Sequence, residues 1–492
     1  MDKFPKIAQL KDVSALRARL AKLSLDLPLD EAILTNASAS PLAATLRVGS
    51  FEVGNRWCIH PMEGWDGQED GSPSELTLRR WRRFGQSGAK WIWGGEAAAV
   101  VPAARANPRQ ILATSANRDG LARLLEMLEN AHREKFGTTD DLLVGLQLTH
   151  SGRFSHPDPS GPAPKIAYHH PLLDPPCGIS PEDDAVVLSD GELEGLIEKF
   201  VAAATLAAEV GFRFVDVKAC HGYLLHELLG AHSRPGPYGG DFAGRTRLLT
   251  EIIRAIRRDK PDLIIGVRIS AFDSVPYRSG PEGVGEPVAH TDLLPYRYGF
   301  GLLPSNPVEA DLGETIQLLR MLSDLGVETI NVSAGSPYYC PHLQRPAIFP
   351  PSDGYLPPED PLCGVVRQIQ MARACKQACP DIPMVGSGYS YLQDFLPYAA
   401  QAAVRNGWID AVGMGRMVLS YPEMPCDTLD KGVMERKKIC RTFSDCTTAP
   451  RGGIVSGCFP LDPLYHGLPE ATRLAKLKKE AAARMQQATE NE

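Results

Sequence analysis

The 492-residue sequence predicts an α/β fold, a (β/α)8 TIM barrel with long βα-loop insertions and a C-terminal extension, on three observations. Short apolar runs alternate with longer helical stretches eight times. The runs are continuously apolar rather than alternating, as parallel strands buried on both faces are. Several end abruptly in reactive side chains, as strands do at the C-terminal face of a barrel. A doubly wound open sheet is the other reading of the same alternation.

The elements follow in order. Residues 1–45 read as an N-terminal arm with a short helix over 13–21. The barrel occupies 46–425, with strands expected at 56–62, 90–94, 142–149, 212–218, 263–270, 327–333, 382–387 and 409–413. Helices are expected at 74–87, 118–135, 190–210, 243–258, 312–325, 362–378, 391–406 and 427–438. Insertions at 150–189, 273–311 and 334–361 each follow a strand, so a barrel gathers them over its active face. The third holds eight prolines with Tyr338, Tyr339, Phe349 and Tyr355. It is stiff enough for a substrate wall, and equally suited to packing on its own aromatics. Residues 426–492 form the extension, ending in a Lys/Glu/Ala-rich helix read as a solvated face.

Composition excludes some partners. A net charge of -7 without a basic stripe argues against nucleic acid. No apolar segment approaches a membrane span, and residues 1–6 lead into no signal-like core. Eleven cysteines without a signal pattern suit reduced thiols in the cytoplasm.

The strand ends carry the chemistry. The fourth run leads through Asp216 into Lys218, His221 and Tyr223, all able to hydrogen-bond or move a proton, with Gly222 letting the chain turn. Gln147 places an amide in an apolar run, offering a donor and an acceptor suited to a pyrimidine-like edge. Arg268 buries a guanidinium that needs an anionic or carbonyl partner, either Asp216 or a ligand. Gly386-Ser387-Gly388 after the seventh run and Gly415-Arg416 after the eighth lie where barrels bind phosphate.

Jointly, several motifs resemble the old yellow enzyme family of FMN-dependent oxidoreductases, nearest its 2,4-dienoyl-CoA reductase and trimethylamine dehydrogenase branch. They are Asn55-Arg56 with Pro61-Met62, the run Leu146 to Arg153, His221-Gly222-Tyr223-Leu224, Tyr238-Gly239-Gly240, Arg268-Ile269-Ser270 and Gly413-Met414-Gly415-Arg416. The resemblance implies FMN at the C-terminal face and NAD(P)H as reductant, with hydride passing between flavin N5 and an activated, carbonyl-conjugated small molecule. It implies that Gln147 and Arg268 hold the ring, Met62 and Ala97 line it, and Gly388, Gly415 and Arg416 hold the phosphate. Pro61, Glu63, Ser333, Gly335 and Gly386 complete the expected cofactor set. Tyr223 is the implied proton donor, Lys218 and His221 the implied carbonyl anchors, and a homo-oligomer the implied assembly.

Two departures qualify the likeness. Lys218 replaces the first member of the usual His pair, and Glu63 stands where a flavin-tuning Cys or Thr is usual, which calls for a carboxyl that is protonated or turned away, toward Lys218. In the extension, Cys440, Cys446 and Cys458 with Phe443 read as a decayed [4Fe–4S] loop, since a cluster usually takes four thiolates. Two alternatives stay open: a Schiff-base lyase or aldolase built on Lys218, and an oxidative, amine dehydrogenase-like flavoenzyme.

Overall fold

In the computed structural model, which describes residues 4–490, all eight apolar runs form strands. They are β1 (Trp57–Ile59), β2 (Trp91–Ile92), β3 (Leu143–Thr149), β4 (Phe214–Ala219), β5 (Ile264–Ser270), β6 (Thr329–Ser333), β7 (Met384–Gly386) and β8 (Ala411–Met414). Every strand pairs in parallel with its sequence neighbours, and β8 pairs with β1, so the sheet closes. Closure rules out the open sheet.

The outer helices are α1 (Glu75–Gly85), α2 (Arg118–Phe136), α3 (Asp190–Val210), α4 (Phe242–Asp259), α5 (Gly313–Asp324), α6 (Pro361–Ala378), α7 (Leu396–Arg405) and α8 (Met424–Lys431). Local chemistry sets their ends. At the start of α3, Ser189 and Glu192 cap each other, and Gly211 (φ 114°) ends it in a left-handed turn. Two helices are shorter than expected. A tight turn with Gln393 at φ 53° delays α7, and Gly432, left-handed at φ 65°, stops α8 before 438.

Inside the barrel the strand period of two separates two worlds. Val215, Val217 and Ala219 face the helices in the main core, while Phe214 joins Trp91, Trp93 and Ile264 in the lower barrel interior. An antiparallel hairpin, Leu46–Val48 with Phe51–Val53, packs Leu46, Val48 and Val53 against that inner cluster. The bottom is thereby plugged with apolar side chains, and the polar interior residues are left to the top.

The extension differs from expectation. Its boundary at 425/426 falls inside α8. Beyond it, Asp462 accepts from Arg79 and Arg83 of α1, and Ser456 Oγ accepts the Trp65 N–H at 2.8 Å. The terminal helix (Pro469–Glu490) is not solvated all round, because Leu474 is buried against Ile454, Phe459 and Tyr465. Among the described residues no helix is long and apolar enough to cross a membrane.

Candidate active site

The top of the barrel opens into a cavity of about 340 Å³, within the range of small-molecule sites, roughly 300–1,000 Å³. Its walls come from β-strand ends, the third insertion and the extension. The other two insertions do not reach it. They buttress instead, as when Phe154 stacks on Tyr338 with ring centres 3.9 Å apart. In the third insertion Tyr338, Arg345 and Pro346 line the cavity, while His342 and Tyr355 pack behind it with Tyr277 of the second insertion.

Register builds the floor. Gln147 on β3 pairs with Asp216 on β4, and one step higher Lys218 pairs with Arg268 on β5. Asp216 is fully buried and accepts from Trp93 Nε1 (2.7 Å), Gln147 Nε2 (2.5 Å) and the Arg268 backbone N–H (2.7 Å). Burial, only partly offset by those hydrogen bonds, pushes its carboxyl up to about 6. One hydrogen of the Gln147 amide nitrogen is therefore taken, and the acceptor oxygen and the second hydrogen are left to the cavity. Arg268 is not side-chain-paired with Asp216; its Nε is buried without a partner. A buried guanidinium edge of that kind is costly unless a ligand meets it.

At the reactive end, β4 finishes in two successive left-handed residues, His221 (φ 66°) and Gly222 (φ 81°). A side chain at 222 would meet the Tyr339 ring at 2.8 Å, so only glycine fits the turn. The turn brings Lys218, His221 and Tyr223 to one wall. Tyr223 donates its hydroxyl hydrogen to Glu63 in a short hydrogen bond, and Tyr338 lies 2.8 Å from the same oxygen. Lys218 Nζ stands 3.9 Å from Glu63 and 3.7 Å from the Tyr223 ring centre. Glu63 is thus turned toward Lys218, as expected. Burial lowers the Lys218 ammonium below its ordinary value, with Glu63 opposing. His221 is driven well below an ordinary imidazole by burial, then by Arg268 and Lys218. Its Nε2 carries the hydrogen, because the Ser333 hydroxyl 3.1 Å away spends its own on the Ile269 carbonyl.

The far end is an anion cradle. Arg345 and Arg416 both line it, and Arg345 Nη2 and Arg416 Nη1 are buried without partners. Burial and the proximity of Arg416 push Arg345 down to about 9. Arginine keeps its charge in proteins, so the displacement registers a buried cation, further repelled by Arg416, that an anion relieves. Gly388 (φ 96°) and Gly415 present bare backbone beside them, and a Cβ built on Gly415 meets nothing within 4 Å. These unpaired groups match what a phosphate-tailed flavin needs, a planar ring edge at Arg268 and a dianion at Arg345 and Arg416.

Of the residues expected to bind cofactor, Pro61, Met62, Glu63, Gln147, Arg268, Gly388, Gly415 and Arg416 line the cavity. Four do not. Ala97 is buried with its carbonyl bound to Gln110. Gly386 packs under Ile409 and Tyr389, Gly335 against Cys340, and Ser333 against the Ile269 carbonyl. The sequence reading missed Arg345, hidden in a proline-rich loop, and Cys446, Thr447 and Arg451, which the extension folds over the mouth. Among the described residues no group of His, Cys, Asp or Glu is placed to hold a metal ion.

Comparison with known proteins agrees with this geometry. The profile of the NADH:flavin oxidoreductase / NADH oxidase family matches residues 42–283. An NADH oxidase of Thermoanaerobacter brockii is 25% identical over 422 residues, 83% of this chain and 53% of its own length. An NADPH dehydrogenase of Clostridium acetobutylicum is 24% identical over 375 residues, 75% of this chain and 88% of its own. By these likenesses the chain is similar to the old yellow enzyme family. It spans about half the length of the Thermoanaerobacter relative. Solved structures share the barrel fold: morphinone reductase superimposes with a TM-score of 0.55 at 18% identity, over 87% of this chain and 93% of that one. A 2-naphthoyl-CoA reductase complex gives 0.63 at 17% identity, over 86% and 57%.

Proposed function

We propose that the protein is an FMN-dependent oxidoreductase that draws on NAD(P)H and reduces an alkene conjugated to a carbonyl in a small molecule. One observation carries the reading: a single cavity joins two unpaired arginines beside bare glycine backbone at one end to Lys218, Glu63 and Tyr223 at the other. Arg345 and Arg416 hold the phosphate, and Arg268 and the Gln147 oxygen address the ring edge. Bound there, FMN supplies two-electron hydride chemistry.

The chain's own residues do the rest. Lys218 brings a fixed positive charge to the wall where the substrate carbonyl gathers negative charge, and a preset charge in a dry site acts most strongly there. His221, neutral and oriented by Ser333, is a second hydrogen-bonding group on the same wall. The proton for the substrate comes from the Tyr223–Glu63 pair. Lys218 sits as a cation against a carboxylate and an aromatic face, which is poor preparation for Schiff-base attack.

The test is spectroscopic. Purified protein should show flavin absorption that NADH or NADPH bleaches without oxygen and that a simple cyclic enone restores. Colourless protein that takes up no added FMN refutes the reading.

A further inference from the structure

The hydroxyl of Tyr223 belongs to a three-membered chain whose direction the geometry fixes. A phenol has one hydrogen. Tyr223 gives its hydrogen to Glu63, so the 2.8 Å hydrogen bond between the two tyrosine oxygens must run from Tyr338 to Tyr223. The order is Tyr338, Tyr223, Glu63. The outer member reaches solvent, Tyr338 being 39% exposed with its ring held flat on Phe154. The middle member is 2% exposed. The inner member lies in the cavity wall beside Lys218.

In this arrangement the proton of Tyr223 points at a carboxylate, not at a substrate. Burial and the adjacent Glu63 also raise the Tyr223 hydroxyl well above an ordinary phenol. Tyr223 cannot stand as a phenolate, so a proton leaving one side of it has to be replaced from the other in the same motion. The charges facing the chain suit that traffic. Lys218 lies against Glu63, and Arg451, behind Tyr338, is occupied by Asp353 and the Pro337 carbonyl.

Resting on the flavin reading above, we infer that Glu63, not Tyr223, exchanges the proton with the substrate, and that Tyr223 and Tyr338 conduct protons between Glu63 and solvent. The Glu63 O–H bond breaks as the electron pair of the enolate carbon forms the new C–H bond. The carboxylate so formed takes the Tyr223 proton, Tyr223 takes that of Tyr338, and Tyr338 takes one from water. One proton has entered from bulk, and no charge is left on the chain. Lys218 steadies the carboxylate while it exists.

Glu63, the hydrogen-bond acceptor of Tyr223 and the ion-pair partner of Lys218 in this structure, has to take up a proton before it can give one, and this separates it from Tyr223. Three variants of the holoenzyme, Glu63→Gln, Tyr223→Phe and Tyr338→Phe, are reduced without oxygen, equilibrated and mixed with cyclohexenone. Glu63→Gln should slow the first reoxidation by roughly 10²-fold or more. Tyr223→Phe and Tyr338→Phe should complete that first turnover on the proton Glu63 takes up during equilibration, and lose most of their rate in steady state, where Glu63 must be reloaded through the chain in every cycle. Independently of activity, infrared difference spectra on reduction should show a protonated-carboxyl band in wild type that Glu63→Gln lacks. The inference is overturned if Tyr223→Phe abolishes the first turnover while Glu63→Gln spares it, or if no carboxyl band appears. A wild-type flavoprotein that no enone reoxidises fails the flavin reading itself, before any variant is compared.

Discussion

Arg345 offers the sharpest test of the anion cradle, because the prediction has opposite signs with and without ligand. In the structure its guanidinium donates to Thr447, leaves Nη2 unpartnered and sits against Arg416. Replacing it in Arg345→Leu removes one charge-assisted contact to a bound phosphate. A hydrogen bond to a charged group contributes about 1.5–3 kcal/mol, so the dissociation constant of FMN should rise about 10- to 150-fold. Without ligand the same change removes a like-charge repulsion, so the apoprotein should be no less stable than wild type. Riboflavin, which lacks the phosphate, supplies the control and should bind both proteins alike. The assay titrates apoprotein with FMN and with riboflavin by quenching of flavin fluorescence, alongside thermal melts with and without FMN. Equal losses for the two flavins would mean that Arg345 supports the loop rather than the phosphate. An unchanged FMN affinity would remove it from the site altogether.

Three further expectations follow from single positions. Gly415→Val points a side chain into the open space beside Arg416, and should abolish FMN binding while leaving the melting temperature of apoprotein within a few degrees of wild type; retained FMN affinity would move the phosphate elsewhere. Lys218→Ala should keep its flavin spectrum and lose most turnover, and unchanged turnover would remove Lys218 from the chemistry. Asp216→Asn turns a donor toward donors and should cost about 1.5–3 kcal/mol in urea denaturation. The folded carboxyl, at about 6, titrates above the ordinary aspartate value of about 3.9. The contribution of Asp216 to wild-type stability is therefore fully present below about 4 and is lost as pH rises through about 6. The variant lacks that slope, so its deficit should shrink across the same window; a deficit that does not vary with pH would contradict the assignment.

What could be read from the chain beforehand divides along a physical line. Strand ends were legible because two constraints meet there, a hydrophobic run that must be buried and a polar residue that must not be left alone. Gln147, Lys218, Arg268 and Arg416 all announce themselves that way, and all reach the cavity. Glycines were harder. Gly388 and Gly415 expose backbone to the site, whereas Gly335 and Gly386 answer to Cys340, Ile409 and Tyr389, and nothing in the residue type separates a glycine that admits a ligand from one that admits a neighbour.

Loops were least legible, because which loop meets which is decided by contacts far apart in sequence. Arg345 reads as one cation in a proline-rich insertion until Thr447, 102 residues later, fixes its guanidinium toward Arg416. Tyr338 reads as a wall until Phe154 stacks it within reach of Tyr223. The extension closes the mouth only because Asp462 is clasped by Arg79 and Arg83 on the first barrel helix. The site proposed for this chain is thus set in two layers. Strand register places Gln147 and Arg268, and contacts between distant loops place Tyr338, through Phe154, and Arg345, through Thr447 of the clasped extension. Loosening that clasp should unsettle Arg345 while leaving Gln147 and Arg268 in position.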